Sequence, residues 1–131
     1  MIGEIMAEFK GKSTGVRVLP DGKVESSSAG SGSILGIEAS IISTGVGTPM
    51  PNGVTMAEGN NIINTADGEV VMVKDSGIGW STGKGWKSSY RGASFHLTSS
   101  QKLARLNKTV GVYEYESDET GNWKLKVWEW K

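Results

Sequence analysis

The chain has 131 residues, 37% of them hydrophobic and 21% charged, with 19 Gly and no Cys. This is the size of one domain with one core, and its Gly share is about twice the usual value. Fourteen basic and fourteen acidic side chains cancel, which speaks against a polybasic nucleic-acid or membrane-surface protein. The lack of Cys excludes disulfides, thiolate catalysis and Cys-ligated metal.

No stretch approaches the roughly 18 consecutive apolar residues that span a bilayer. Glu4, Glu8 and Lys10 break up the apolar character of the first dozen residues, so no signal-peptide core is visible there. The expectation is a cytoplasmic protein without a membrane partner.

In chain order, the patterning predicts strands over about 2–10, 15–19, 23–30, 33–44, 53–65, 69–79, 84–98, 109–117 and 122–130. Asp21-Gly22 and Asp67-Gly68 are hairpin signals, because both residues tolerate the positive φ that tight hairpin turns demand. Glu119-Thr120-Gly121-Asn122 reads as a third turn. Gly45–Gly53 reads as a loop, since Pro49 and Pro51 cannot both continue a ladder. In the first strand Ile5, Ala7 and Phe9 share one face. In 33–44 the shared face is Leu35, Ile37, Ala39 and Ile41, and in the last strand it is Trp123, Leu125 and Val127. In 84–98 alternation fails, because Trp86 and Tyr90 are even-numbered while Phe95 and Leu97 are odd. A bulge at Gly92 would restore it, leaving His96 on the polar side. Thr98…Gln101 has capping-box spacing ahead of good helix formers, which predicts a short helix over 99–106 that covers one end of the β structure. Frequent turns between short strands, with no linker or repeat, predict a single all-β domain over 1–131: a closed antiparallel barrel of about eight strands.

The run Asn52-Gly53-Val54-Thr55-Met56-Ala57-Glu58-Gly59, followed by Thr65-Ala66-Asp67-Gly68-Glu69-Val70-Val71, resembles small uncharacterised barrels of the calycin or allene-oxide-cyclase-like kind. The resemblance spans most of the chain as a pattern of strands and glycines. It departs from the lipocalins in lacking their N-terminal Gly-x-Trp, since no Trp precedes Trp80. It implies a barrel that holds a small apolar ligand and assigns no catalytic residue.

Two motifs invite chemistry that they do not support. Gly77–Gly85 has Gly83-Lys84, but Ile78 and Gly85 stand where a phosphate loop needs Gly and Ser or Thr. His96 is the one histidine, and without Cys or a second His a metal site is not expected. No cofactor is expected either.

Glu58 follows Val54 and Met56 on one strand face, and Glu114 shares a face with Val110 and Val112. Facing inward, these carboxylates would be desolvated and suited to ligand anchoring or proton abstraction. Facing outward, or paired with a cross-strand Lys or Arg, they would be structural. The expected ligand site is Glu58 and Glu114 with walls from Trp86 and Tyr90. If Trp123, Leu125 and Val127 point inward, Trp128 and Trp130 point outward and favour a homo-oligomer. The expected function is binding of a small, mostly apolar molecule in the barrel. An isomerase or cyclase with a cavity Glu as general base is one alternative; an interaction module with a filled barrel is the other.

Overall fold

A computed structural model describes residues 1–131. Eight strands follow one another in antiparallel pairs: β1 (Ile2–Val18), β2 (Val24–Ile34), β3 (Ile37–Pro49), β4 (Val54–Thr65), β5 (Val70–Ser81), β6 (Ser88–Leu97), β7 (Val110–Ser117) and β8 (Asn122–Trp130). β8 pairs back onto β1, so the sheet closes into a barrel without a free edge. The seam is pinned at its end, where the Met1 ammonium donates to the Lys131 carbonyl at 2.8 Å and the Lys131 N–H donates to the Met1 carbonyl at 2.7 Å. No helix is long and apolar enough to cross a membrane.

The turns follow from their residues. Pro20-Asp21-Gly22 and Pro51-Asn52-Gly53 are matching 3-10 turns in which the Asp or Asn and the Gly take positive φ. At the β7–β8 turn, Asp118 Oδ1 accepts from the Thr120 N–H at 2.9 Å and the Asn122 N–H at 3.0 Å, while Gly121 has φ +92°. The Asn122 and Thr120 hydrogen bonds hold the Asp118 carboxyl down at about 2.

Several strand limits differ from the sequence reading. The first two predicted strands are one, β1, whose pairing with β2 shifts between Ser13 and Gly15. Residues 45–49 belong to β3, which stops only where Pro49 pairs with Thr55. The bulge at Gly92 is absent: β6 pairs without interruption to β5 and to β7. The even-numbered residues Tyr90, Ser94 and His96 therefore face inward, while Phe95 is 51% exposed and Leu97 65%. Gly92 serves packing instead. A β-carbon there would stand 2.7 Å from the Tyr113 ring.

The predicted helix over 99–106 is a set of turns ending in a 3-10 turn over Ala104–Lys108. The hydroxyls before it compete for the backbone. Ser100 N–H donates to Thr98 Oγ1 at 3.1 Å, Leu103 N–H donates to Ser100 Oγ at 3.3 Å, and Asn107 exchanges two hydrogen bonds with the Thr98 backbone. Leu103 and Leu106, three residues apart as 3-10 geometry favours, are both buried in the main apolar cluster with Phe9, Ile34, Ile63 and Val71. This segment closes one end of the barrel.

Candidate functional site

Above that apolar floor the barrel is hollow. A cavity of about 490 Å³ occupies it, and Gly22, Pro49, Trp86 and Ser117 at the far rim mark its mouth. The hollow follows from side-chain size. The inward faces of β3 and β4 toward the mouth carry Gly45, Gly47, Ala57 and Gly59, which leave the space open. The opposite wall is aromatic: Tyr115 stacks on Trp123 at 5.7 Å between centroids, and Tyr90 meets Tyr115 edge-on at 5.8 Å. Strand glycines admit these rings. A β-carbon at Gly11 would lie 2.5 Å from Trp123 Cζ2, and one at Gly79 would lie 2.3 Å from the Tyr90 ring. Trp123 Nε1 is the one buried side-chain polar atom without a hydrogen-bond partner.

One carboxylate side chain enters the cavity, that of Asp75 on β5. Val71 and Val73 precede it on the same inward face. Asn61 Nδ2 on the neighbouring β4 donates to Asp75 Oδ2 at 2.7 Å and to the Val73 carbonyl at 3.3 Å; Asn61 Oδ1 in turn accepts from Ser43 on β3. This chain fixes the amide orientation, because the Val73 carbonyl can only accept. Asp75 Oδ1 takes no hydrogen bond from the protein. Burial pushes the Asp75 pKa up, and the Asn61 hydrogen bond only partly opposes it. Burial also raises the pKa of Tyr113, with the nearby Asp75 charge as a second cause.

His96 lines the same cavity near its closed end. Its Nδ1 lies 3.1 Å from the Thr109 carbonyl, which must accept, so Nδ1 carries the proton. Nε2 then accepts from the Ser94 hydroxyl at 3.2 Å. Burial lowers the His96 pKa, which keeps the ring neutral. Both nitrogens are thus committed, Nδ1 tying the end of the closing segment to β6 and Nε2 engaged within β6.

The four residues singled out in the sequence separate. Trp86 and Tyr90 border the cavity, Trp86 at the mouth and Tyr90 on the inner wall. Glu58 and Glu114 do not present their carboxylates to it. Glu58 borders the hollow only as part of β4: its side chain alternates with inward Ala57 and Gly59 and is exposed. Glu114 lies on the outer wall, with Arg91 Nη2 3.6 Å from its Oε1, beside an Arg91–Glu116 pair at 2.8 Å. The misplacement has a physical cause. Where a barrel is hollow, the inward face carries small residues, and the larger apolar side chains such as Met56 and Ile62 move to the outside. Asp75 and Asn61 were not singled out. A usable signal was present in the one-face series Val71, Val73, Asp75, Gly77, in which a carboxylate continues a β-branched face. The outer residues Val70 and Met72 are equally apolar and mask it.

No protein-family model matches the chain, and no curated protein matches it. Solved structures do. A conserved protein of unknown function from Rhodopseudomonas palustris superimposes with a TM-score of 0.83 at 14% identity, covering 98% of this chain and 97% of that one. A β-barrel-like protein from Acinetobacter baumannii AYE gives 0.83 at 15%, covering 100% and 96%. An enzyme from Penicillium herquei gives 0.62 at 16%, covering 98% and 96%. These likenesses establish the small closed barrel as a recurring fold.

Proposed function

We propose that this barrel binds a small, mostly apolar molecule in its cavity, in the manner of calycin-like or allene-oxide-cyclase-like barrels. The observation that carries the reading is the open hollow of about 490 Å³ between an apolar floor and the Tyr90–Tyr115–Trp123 wall. Ligand pockets of a few hundred Å³ have this make-up, apolar and aromatic with a few placed polar groups. The volume counts against the alternative of an interaction module with a filled barrel. A chain without Cys suits a reducing, cytoplasmic setting.

Gly45 provides the test. It faces the cavity, and a β-carbon there meets only the Glu58 carbonyl oxygen at 3.7 Å and Ser26 Oγ at 3.9 Å, which is ordinary contact. The strands thus accept a β-carbon at this position, and Gly45→Phe should direct its ring into the hollow and fill it. The neutral fluorescent probe N-phenyl-1-naphthylamine should brighten on titration into the native protein and not into Gly45→Phe, whose thermal stability should be equal or higher. Equal brightening in both would place the probe outside the cavity and defeat the reading.

A second reading, an isomerase or cyclase, is favoured by the inward Asp75, whose Oδ1 takes no protein hydrogen bond; among the similar folds is an enzyme from Penicillium herquei. Asp75 then takes the general-base role that the sequence suggested for Glu58 or Glu114. For assembly, Trp128 and Trp130 on the outer face of β8 remain the proposed homo-oligomer contact. Trp130 is 58% exposed, and Ile2 and Ile5 of β1 pair beside the two indoles.

A further inference from the structure

The charge of the cavity wall narrows the ligand class. Fourteen Lys and Arg side chains belong to the chain, and none lines the hollow. Arg91, next to the inward Tyr90 in sequence, points outward to Glu114 and Glu116, and Lys74, between the inward Val73 and Asp75, is exposed on the outer face. His96 is neutral, with both nitrogens engaged. The fixed charge presented to a ligand is therefore that of Asp75 alone. Its Oδ2 is held by Asn61 and its Oδ1 is left without a protein donor. The Tyr113 side chain reaches the same region, with its hydroxyl 2.5 Å from the position of a β-carbon at Gly77, two residues along β5 from Asp75. Tyr90, Tyr115 and Trp123 complete an aromatic wall.

We infer that the cavity selects a cationic ligand: a small molecule with a protonated amine on an aromatic or alicyclic body, its ammonium on Asp75 and its body against the tyrosines and Trp123. This inference rests on the binding reading above. Three physical reasons support it. A partly buried carboxylate without a cation is left uncompensated, and an ammonium within a few ångströms supplies the missing partner. Aromatic faces attract cations through their quadrupoles, most strongly where water is excluded. A fatty acid, a phosphate or any other anion would bring a like charge against Asp75 with no Lys or Arg to receive it. Burial raises the Asp75 pKa, the direction expected of a carboxyl that waits for a cation.

The test uses three naphthalene probes of nearly one shape: 1-naphthylmethylamine, protonated near neutral pH, neutral 1-naphthalenemethanol, and the anion 1-naphthoate. Calorimetric titration of the native protein should give an amine at least about tenfold tighter than the alcohol, with naphthoate weakest. In Asp75→Asn, which keeps the shape and the acceptor for Asn61, the amine and alcohol affinities should converge while the alcohol's own affinity is retained. Naphthoate equal to or tighter than the amine in the native protein overturns the inference without any variant. An amine preference that survives in Asp75→Asn also overturns it. In both cases a bound alcohol that Gly45→Phe loses leaves the binding reading standing. If none of the three probes nor N-phenyl-1-naphthylamine binds, the binding reading and this inference fail together.

Discussion

Asp75 concentrates the residue-scale argument. A carboxyl whose pKa rises on folding stabilises the folded state below its unfolded value, 3.8, and loses that contribution as pH rises through the raised folded value. Asp75→Asn removes the ionisation while preserving the Asn61 contact. The variant should therefore match the native protein in acid and exceed it near neutral pH by about 1 kcal/mol, the scale of an undercompensated buried polar group. Thermal melts of both proteins across that range check this, and a difference that does not change with pH would refute it. The importance of Asp75 was hard to read from the sequence because β5 is apolar on both faces for its first four residues. Glu58 and Glu114 drew notice for the opposite reason. Each continues a face of large apolar residues, and in this barrel that face is the outer one.

At the scale of the element, strands with one filled and one polar face were legible. Ala7 and Phe9 on β1, Ala39 and Ile41 on β3, and Trp123 and Val127 on β8 are all buried as alternation predicts. Ile5 is the exception, exposed where β1 and β8 slip register at that residue. The segment 99–106 was not legible as turns, because helix propensity is local whereas the Thr98–Asn107 and Ser100–Leu103 hydrogen bonds depend on how the segment meets the barrel end. The strand glycines answer packing, and at Gly11 the demand is explicit. A methyl group there would press on the Ala29 carbonyl oxygen at 2.2 Å and on Trp123 Cζ2 at 2.5 Å. Backbone cannot move aside as a flexible side chain does, so Gly11→Ala should cost about 1–3 kcal/mol, the usual range for overpacking. Urea denaturation measures it, and an unchanged midpoint would mean that Trp123 does not sit against β1.

At the scale of the molecule, closure of the sheet was legible from turn spacing and strand number, and the hollow was not. Hollow and filled barrels share one strand pattern and differ in the sizes of inward residues, which can be summed only once every face is assigned. The outer wall carries the assembly prediction. With Trp130 58% exposed, Ile2 53% and Ile5 47%, β8 and β1 form an apolar stripe over the seam. Sedimentation should show a concentration-dependent oligomer that the double substitution Trp128→Ser, Trp130→Ser converts to monomer. A native protein that stays monomeric at high concentration would remove this part of the account.

The central claim is that ligand enters the hollow among the inner aromatics. The chain has five tryptophans, and they divide by position: Trp123 lines the cavity wall, Trp86 stands at its mouth, and Trp80, Trp128 and Trp130 belong to the outer surface. Each indole N–H gives its own resonance in a 1H–15N correlation spectrum, so five assigned peaks report the binding place directly. Titration with N-phenyl-1-naphthylamine should shift the Trp123 peak most, with Trp86 second and the Trp128 and Trp130 peaks unmoved. Shifts confined to Trp128 and Trp130, with Trp123 unchanged at saturation, would contradict the claim by placing the bound molecule on the outer wall.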